Sequence, residues 1–597
     1  MRRFFVLLGP LVLGSAIAIS AAVASHGPGA EVTVGSDDTT PLQNKQNEPT
    51  VAVNPIDPSM VVAGANDNID LEGCNNAADN TCPFTDGVGV SGVQFSFDGG
   101  ASWQQPTYTG YSARLCKGIP GPDPGCDPAT FRDKPIGTLP WYFEGGLSSD
   151  GDPAVVFAPK PDGQGGFTWA NGARLYYATL TSNFSTVRDE QEFKGFEAVA
   201  VSRTDDPAGA GAGNKDAWRR PVIVSKQNAA LFSDKEFIYA DNAASSPFFG
   251  NVYICNAAFR SVGQGGAPEP IIFSRSTDGG DTWDTKQITP AANTNLGQGR
   301  QGCTVRTDSG GGVYVFYRGG DQGQKENPPV FDRALLMVRS FDGGLTFDRP
   351  QPVVQTNNCG RFDPAQGRST FDGVAGARTN IGPSVDIANG NPNGFPQPHK
   401  DVIVVAWCDG PTPSVTSPGP NEKAFVQFST DKGETWSTPV NAAATTDRPD
   451  FPAVAISPDG TDLYVTYMAF HAPWQTTTAA PRNMEGVVRF APFSTTTPLS
   501  FSDRYRGATG DARGSSTNSL VAEFLGDYNY VWATNIKAVA VQNDVRHAKD
   551  CPAVDTFRQN RLNGTLPNPR PAPGLCLSAS PDFFFGNSDI FSAVVTP

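Results

Sequence analysis

The sequence predicts an all-β fold, a single β-propeller of four-stranded blades, and three observations support that prediction. The 597 residues include 64 glycines and 51 prolines but only 18% charged residues, a balance typical of many turns and short strands rather than long amphipathic helices. One turn-like pattern recurs four times, and a strand-like segment recurs seven times. With 38% apolar residues, the chain has enough apolar side chains for a core.

The first recurring pattern is an eight-residue segment that begins with Ser, has Asp at its third position and ends on an aromatic ring. The Asp can accept backbone N–H bonds inside its own turn, and glycine permits positive φ. The closing ring can then be buried at the base of a hairpin. Each copy follows a strand-like segment, so each is predicted to be a structural turn. The four copies are Ser96–Trp103, Ser276–Trp283, Ser340–Phe347 and Ser429–Trp436.

The second recurring feature, often X-Pro-X-Val, marks the first strand of each blade. Several copies are followed by an apolar second strand, such as Val402–Trp407, and a third strand leads into the repeated turn. Seven copies favour seven blades, with six as the alternative if one unit is misread. The copies are residues 49–51, 153–155, 237–239, 303–305, 383–385, 452–454 and 528–530.

The two ends of the chain are predicted to complete one blade together. Ala30–Val34 is an isolated strand-like segment, and Asp589–Val594 is another near the last residue. Pairing them closes the ring and removes an open sheet edge. Residues 25–597 are therefore predicted to form one domain, with loop insertions at 68–91 and 104–150. Each insertion holds two cysteines, and both are expected at the end of the blades opposite to the repeated turns.

The first residues are predicted to be an export signal. Met1-Arg2-Arg3 is a charged start, an apolar stretch follows, and Ala22-Val23-Ala24 offers small residues to a signal peptidase. Residues 1–24 are therefore interpreted as a cleaved secretory signal peptide, with the mature chain beginning near Ser25. An uncleaved membrane anchor is the alternative, because the apolar stretch approaches the length that spans a bilayer.

Ten cysteines fit an exported protein. An even number of cysteines in such a chain favours disulfides over thiol chemistry. Sequential pairing is the simplest hypothesis, although the sequence does not prove connectivity. The pairs would be Cys74 with Cys82, Cys116 with Cys126, Cys255 with Cys303, Cys359 with Cys408, and Cys551 with Cys576.

The net charge and the spacing of the histidines argue against two classes of function. The net charge is −15 and the pI is about 4.8, so there is no basic excess to balance the phosphates of a nucleic acid. No two of the four histidines are spaced for a metal site, which argues against zinc-hydrolase chemistry. These are His26, His399, His471 and His547.

The four repeated segments are Asp-boxes, and through them the chain resembles the sialidase (bacterial neuraminidase repeat) superfamily of β-propellers. In that family the boxes are structural and lie on the face away from the active site, so no catalysis is expected of their aspartates. The catalytic domains of sialidases have six blades, whereas seven units are counted here.

Charged residues stand just before the predicted first strands, where a propeller chain reaches the open end of its central funnel. Carboxylates come from blades 1 to 3, arginines from blades 4 to 6, and a tyrosine with two acids from blade 7. This density of charge predicts a ligand site in the funnel. The residues are Glu48, Asp150, Asp152, Asp234, Lys235, Glu236, Arg300, Gln301, Arg378, Asn380, Arg448, Asp450, Glu523, Asp527 and Tyr528.

The resemblance to sialidases implies specific roles for six of these residues. Sialidases bind the substrate carboxylate with three arginines, since Arg forks match a carboxylate, and use a Tyr nucleophile activated by Glu with an Asp acid/base. The matching substrate-binding residues are Arg300, Arg378 and Arg448, and the matching catalytic residues are Tyr528, Glu523 and Asp152. For each arginine, a structural ion pair is the alternative.

One departure from the family pattern lies near the first blade. The early Arg-Ile-Pro motif of sialidases is absent, and Asn47-Glu48-Pro49 stands in its region. This difference weakens the specific sialidase assignment.

The leading functional hypothesis is a secreted glycoside hydrolase that acts on a carbohydrate, an acidic one if the arginines are free. It is expected to need no cofactor or metal, to bind neither nucleic acid nor membrane after signal cleavage, and to be a monomer. The alternatives are a non-catalytic propeller that binds glycan or protein, and a polysaccharide lyase in which Arg neutralises a uronate while Tyr removes a proton. Fold alone does not decide between them.

Overall fold

The computed structural model describes residues 29–597 except 42, 75–83, 225–230, 261–268, 291–299, 320–333, 358, 380–381, 397–400, 411–421 and 577–583. The predicted signal peptide, Asn380, Cys82, His26 and His399 lie outside the described residues.

The strands of the first half of the chain build blades 1 to 4. After β1 (Ala30–Glu31), blade 1 contains β2 (Gln46–Val53), β3 (Val61–Asp67) and β4 (Ser91–Ser96), and the small β5 (Tyr108–Gly110) and β6 (Lys134–Ile136) pair with each other. Blade 2 contains β7 (Leu147–Pro161), β8 (Phe167–Asn183), β9 (Ala198–Thr204), the short helix α1 (Pro207–Gly211) and β10 (Trp218–Ile223). Blade 3 contains β11 (Phe232–Ala240), β12 (Val252–Phe259), β13 (Ile271–Ser276) and β14 (Asp284–Gln287), and blade 4 contains β15 (Gln301–Thr307), β16 (Val313–Gly319), β17 (Ala334–Ser340) and β18 (Gln351–Gln355).

The second half builds blades 5 to 7. The small pair β19 (Arg361–Asp363) and β20 (Arg368–Thr370) precedes blade 5, which contains β21 (Ser384–Ala388), β22 (Val402–Asp409), β23 (Lys423–Ser429) and β24 (Val440–Asn441). Blade 6 contains β25 (Arg448–Ile456), β26 (Asp462–Phe470), β27 (Asn483–Pro492), β28 (Ser502–Arg506) and β29 (Gly510–Asp511). Blade 7 contains β30 (Tyr530–Ala533), β31 (Ala538–Asp544), the helix α2 (Pro552–Leu562) that follows it, and β32 (Asp589–Val595).

The blades form a ring of seven antiparallel sheets across the described residues, which confirms the predicted fold and the count of seven. The first strand of each blade contacts that of the next, and β30 contacts β2 where the ring closes. Blade 1 has three strands, extended by a pairing between Phe95 and Gln104 alone. Each predicted first-strand segment lies in or at the start of the innermost strand of its sheet.

The ring is closed by the two ends of the chain, as predicted. Ala30 pairs with Ser592 and Glu31 with Phe591, and the Val32 N–H donates to the Ile590 carbonyl at 2.8 Å. The N-terminal strand is shorter than the predicted segment Ala30–Val34, because a turn follows in which the Ser36 N–H donates to the Thr33 carbonyl. The strand order of blade 7 is therefore β1-β32-β31-β30.

The middle strands of the blades are apolar without alternation. In β16, for example, Val313 to Tyr317 are all fully buried. Each sheet packs on the neighbouring blade at both faces, so side chains on either side of the strand leave water. This explains why continuous apolar runs such as Val402–Trp407 could be predicted as strands from the sequence.

The four repeated segments adopt one turn geometry, between the third strand and the residues that follow it. In the second copy, Ser276 Oγ donates to Asp278 Oδ1 at 2.8 Å and Thr282 Oγ1 donates to Asp278 Oδ2 at 2.6 Å. The Thr282 backbone N–H also donates to Asp278 Oδ1, at 3.0 Å. Gly279 and Gly280 both have positive φ, at 79° and 87°, which glycine adopts without strain.

Each turn also joins its blade to the preceding one. The carbonyl after the turn Asp accepts a hydrogen bond from a basic side chain of the neighbouring blade. Arg203 donates to Gly279, Arg275 to Gly343, Arg339 to Lys432, and Lys537 to Gly99. The turns are therefore structural connections between blades, and no catalytic arrangement is found at them.

Four predicted disulfides are present: Cys116–Cys126, Cys255–Cys303, Cys359–Cys408 and Cys551–Cys576. Cys74 is disulfide-bonded as well, and its expected partner lies outside the described residues. Disulfides persist mainly in oxidising compartments. None of the described helices has the length and apolar character needed to cross a bilayer.

Candidate functional site

A β-bulge recurs at the same point of the innermost strand in five blades. The register shifts there in β2, β7, β11, β15 and β25, and one residue of each bulge has a left-handed φ. A bulge bends the strand and re-aims its side chains, and bulges are common beside functional sites. The residues and their φ values are Glu48 (56°), Asp152 (52°), Lys235 (50°), Gly302 (63°) and Phe451 (50°).

The bulges explain the X-Pro-X-Val pattern. A bulge leaves one backbone N–H without a ladder partner, and proline has no N–H to leave unpaired. Pro49, Pro153 and Pro452 each follow a bulge residue. A left-handed conformation costs a non-glycine residue about 1–2 kcal/mol, so Glu48 and Asp152 are held in strained positions, as functional residues often are.

Glu48, which is buried, and Asp152, which is partly buried, form a hydrogen-bonded pair of carboxyl groups. Asn66 supports both: its Nδ2 donates to Glu48 Oε2 at 2.8 Å, and its Oδ1 accepts from the Asp152 backbone N–H at 2.8 Å. Arg378 Nη2 lies 3.2 Å from Glu48 Oε1. The pair therefore joins blades 1, 2 and the segment that precedes blade 5.

The two carboxyl groups of this pair have opposite pKa shifts. Burial, followed by the charge of Glu48, raises the pKa of Asp152 well above its usual range. Burial would also raise the pKa of Glu48, but the hydrogen bond from Asp152 and the charges of Arg378 and Lys235 outweigh it and lower that pKa. The two pKa shifts favour the proton on Asp152 and the charge on Glu48, which is how neighbouring carboxyls divide acid and base roles.

Arg378 lies between two acids. Its Nε is 2.6 Å from Asp527 Oδ1, and its guanidinium stacks on Phe524 with the centroid 4.7 Å away. Burial, with the nearby charges of Glu48 and Asp234, raises the pKa of Asp527 to about 7 although Arg378 opposes the rise. The charge of Arg378 is therefore already balanced by protein carboxylates.

Tyr528 lies beside the same acids at the centre of the ring. Lys235 Nζ is 3.3 Å from the centroid of its ring, and its hydroxyl is buried without a hydrogen-bond partner among the described residues. Burial and then the charges of Asp152, Glu48 and Glu236 raise the pKa of the Tyr528 hydroxyl well above its usual range. The side chain is a neutral phenol.

A second hydrogen-bonded carboxyl pair, Asp150 with Glu197, lies nearby. Burial raises the pKa of Asp150 to about 6 and, with the charge of Asp150, raises that of Glu197 well above its usual range. Glu236 has two buried carboxylate oxygens with no hydrogen-bond partner among the described residues. The funnel therefore holds more carboxyl groups than basic ones.

The six residues implied by the family resemblance do not share one cluster. The structure brings Asp152, Arg378 and Tyr528 together through Glu48 and Asp527. Buried Arg300 lies beside Glu269, whose pKa burial raises to about 8 while Arg300 opposes the rise.

Glu523 and Arg448 belong to other clusters. Glu523 contacts Arg482 at 2.7 Å and shares a hydrogen bond with Asp372. Arg448 makes a two-pronged ion pair with Glu422, with distances of 3.1 and 3.0 Å. Among the described residues, no hydrogen bond or ion pair links Glu523 to Tyr528.

Asn66 and Glu197 were missed from the sequence. Both lie at the funnel end of other strands, β3 and the start of β9, and not before a first strand. The only signal was a polar residue bordering an apolar strand, which is a common arrangement.

Two cavities lie in this part of the molecule. The central one, lined by Lys235 and Tyr528 among others, has a volume of about 40 Å³, enough for a few waters. A cleft of about 370 Å³ is lined by Asn47, Asn66, Asp150 and Phe524 among others. That volume falls within the ~300–1,000 Å³ common for small-molecule sites. Asn66 connects this cleft directly to the Glu48–Asp152 pair.

The chain matches no family model and no curated protein. Solved structures that it matches include the Hadza microbial sialidase Hz136, at 13% identity and a TM-score of 0.36, covering 71% of this chain and 63% of that one. A leech intramolecular trans-sialidase matches at 13% identity and a TM-score of 0.38, and the match covers 78% of this chain and 68% of that one. A Penicillium chrysogenum α-L-arabinanase matches at 10% identity and a TM-score of 0.37, and the match covers 74% of this chain and 97% of that one.

These matches include sialidases, as the sequence resemblance implied. The chain spans 63% of the length of the Hadza sialidase. At these identities and TM-scores, the likenesses do not assign an activity to this chain.

Proposed function

We propose that the protein is a glycoside hydrolase that binds a carbohydrate in the 370 Å³ cleft and uses Asp152 as its general acid. The observation that carries the proposal is the hydrogen-bonded Glu48–Asp152 pair held by Asn66, in which the pKa of Asp152 is raised and that of Glu48 is lowered. Glycoside hydrolases use a protonated carboxyl that donates to the leaving oxygen and an ionised one about 5–9.5 Å away, so the bound sugar would have to separate Asp152 from Glu48.

The cleft lining suits a sugar. Asn47, Asn66, Asn68 and Asn518 present amides, and Phe524 presents an aromatic ring. Amides donate and accept hydrogen bonds, as sugar hydroxyls do. Asp152 would protonate the glycosidic oxygen, and Glu48 would stabilise the positive charge that develops on the sugar ring. A neutral Tyr528 would offer its unpaired hydroxyl to the substrate or to water.

The expected nucleophile role of Tyr528 lacks its expected base, because Glu523 is paired with Arg482. The acids beside Tyr528 are Asp152, Glu48, Glu236 and Asp527. One of these would have to take the phenolic proton if Tyr528 attacked the sugar.

We favour a neutral carbohydrate over an acidic one. Arg378 and Arg448 are each neutralised by carboxylates, so neither is free to hold a substrate carboxylate. The ionised carboxyl groups of the neighbouring funnel, such as Glu48, would also repel an anionic sugar. The disulfides support a site of action in an oxidising, extracytoplasmic compartment.

Neutral polysaccharides and oligosaccharides, together with sialosides, would be incubated with the purified protein and with Asp152→Asn. We expect reducing ends to be released from a neutral glycan, and Asp152→Asn to lower kcat by about 10²–10⁴-fold. Asp278→Asn, in a repeated turn, is the matched control and should leave kcat unchanged. Release of sialic acid alone, or equal turnover by Asp152→Asn, would contradict the proposal.

A non-catalytic glycan-binding propeller remains the rival, since the Tyr528 hydroxyl is closed off from solvent. A glycan array run with the same proteins separates the two. Binding that is unaffected by Asp152→Asn, with no turnover of any bound glycan, would favour the rival.

A further inference from the structure

Three carboxylates meet where the two ends of the chain close the ring. Glu31 is in β1, Asp38 is in the turn region that follows, and Asp589 begins β32. One carboxylate oxygen from each lies within 4.8 Å of the other two. In a Ca²⁺ site the oxygens stand about 2.3–2.6 Å from the ion, so oxygens on one ion lie within about 5 Å of each other, as these do.

Asp589 is the buried member of this cluster, and only one of its two carboxylate oxygens has a partner among the described residues. Its side chain is 1% exposed, and Oδ1 has no hydrogen-bond partner among the described residues. Oδ2 lies 3.4 Å from Asn587 Nδ2 and 3.5 Å from His547 Nδ1. The Oδ1 of Asn587 is likewise buried without a described partner. A buried oxygen without a partner is costly, and native structures contain few.

The neighbouring basic groups do not balance the three carboxylates. Arg546 is paired with Asp544 at 2.7 Å, and His547 faces Asp589 through Oδ2 alone. Like charges are crowded here.

We propose that Glu31, Asp38 and Asp589 bind one Ca²⁺ ion that ties the N-terminal strand to the C-terminal strand. The donors are oxygens only, which suits a hard cation. Ca²⁺ accepts an irregular set of six to eight oxygens, whereas Mg²⁺ demands near-ideal octahedral geometry. Glu31 and Asp38 are half-exposed, so water can complete the shell. None of these three residues belongs to the proposed glycoside hydrolase site, so the calcium proposal does not depend on that function.

The test uses the full chain, treated with EDTA and dialysed. Calcium chloride is titrated into it by calorimetry, and Tm is measured with and without calcium. We expect one site per chain and a higher Tm with calcium than with the same concentration of magnesium. Asp38→Asn should weaken calcium binding by about tenfold or more and reduce the Tm rise. It is preferred to a variant of buried Asp589, which could fail to fold.

Asp37→Asn is the matched control. It removes the same charge one residue away, and Asp37 accepts hydrogen bonds from Thr39 and Thr40 outside the cluster. Calcium binding should persist in this variant. The proposal is overturned if the wild type shows no heat and no Tm change with calcium, or if Asp38→Asn keeps the full response. Loss of the response in Glu236→Gln but not in Asp38→Asn would place the ion in the funnel and would also overturn it.

Discussion

At the end of the blades that carries the repeated turns, the aspartates are largely exposed and saturated with hydrogen bonds, whereas at the funnel end carboxyls such as Asp527 are buried close to other carboxyls. Asp342 accepts from Ser340, Leu345 and Thr346, and these hydrogen bonds outweigh its slight burial and lower its pKa to about 2. Asp527, at the other end, has its pKa raised to about 7, chiefly by burial.

The difference shows that the same side chain serves opposite purposes according to what surrounds it. In the turns, the carboxylate organises its own backbone and stays charged. In the funnel, burial and neighbouring carboxyls raise the pKa values of Asp152 and Asp527, which is the property that the proposed general acid needs. The turns are therefore expected to affect stability alone, and the funnel to affect both stability and chemistry.

The largest expected effect on stability is at Arg378. Arg378→Met leaves Glu48 and Asp527 buried without their common partner, and we expect a loss of about 3–5 kcal/mol in the free energy of unfolding. Urea unfolding measures it. Arg219→Met is the control, because Arg219 is 45% exposed and pairs with Asp205 at the surface, and it should cost no more than about 1 kcal/mol. Equal losses in both variants would contradict the assigned role of Arg378.

The second prediction concerns pH. Folded-state pKa values of about 7 for Asp527 and about 6 for Asp150 lie above the usual value of 3.8. The folded protein therefore binds more protons than the unfolded chain between about pH 4 and 7, and these groups stabilise it most below pH 4. Their contribution declines as pH rises through 6 and 7, by about 1.4 kcal/mol per pH unit for each extra proton.

Urea unfolding at intervals from pH 4 to 7 checks this prediction. Asp527→Asn should flatten the decline. The turn aspartates have the opposite sign, since the lowered pKa of Asp342 gives stability that is present above pH 4 and lost as pH falls toward 2. Unchanged pH dependence in Asp527→Asn would show that other groups cause it.

A smaller effect is expected at a single turn. Asp278→Ala removes the acceptor for Ser276, Asp281 and Thr282, and we expect a loss of about 1–2 kcal/mol, as for a lost helix cap. Thermal and urea unfolding both measure it. Asp284→Ala is the control, because the nearby Asp284 side chain is exposed. It should change the free energy of unfolding by less than about 0.5 kcal/mol. A change in kcat for Asp278→Ala would contradict the expectation that the repeated turns affect stability alone.

The smallest expected effect is a gain. Lys432 occupies a left-handed position, with φ at 63°, where the other three turns have glycine. Lys432→Gly should relieve that strain and stabilise the protein by up to about 1 kcal/mol. Glu48 has a similar φ of 56°, but Glu48→Gly should abolish turnover whatever it does to Tm. Loss of turnover in Lys432→Gly would contradict the expectation that turn residues, unlike funnel residues, do not take part in turnover.

Local patterns were enough to predict the turns and the strands. The hydrogen bonds of a repeated turn join residues at most four apart in the chain, so the residues that need one another are neighbours in the sequence. The first strands were recognisable by their prolines, and the ring closure by two isolated strand-like segments. The central positions of Asp152 and Tyr528 could also be predicted in this way, because Asp152 comes just before a predicted first-strand segment, at a bulge, and Tyr528 begins another such segment.

The partners of the funnel side chains could not be predicted in this way. Arg378 and Arg448 occupy similar places before successive first strands, yet Arg378 meets Glu48, 330 residues away, while Arg448 meets Glu422. Glu523 is drawn to Arg482 rather than to Tyr528. The sequence by itself determined the blades, their turns and the positions that face the funnel, because these follow from local hydrogen bonding and apolar patterning. Only the tertiary structure decided which carboxyl has a raised pKa and which a lowered one, because burial and charge depend on neighbours from distant blades.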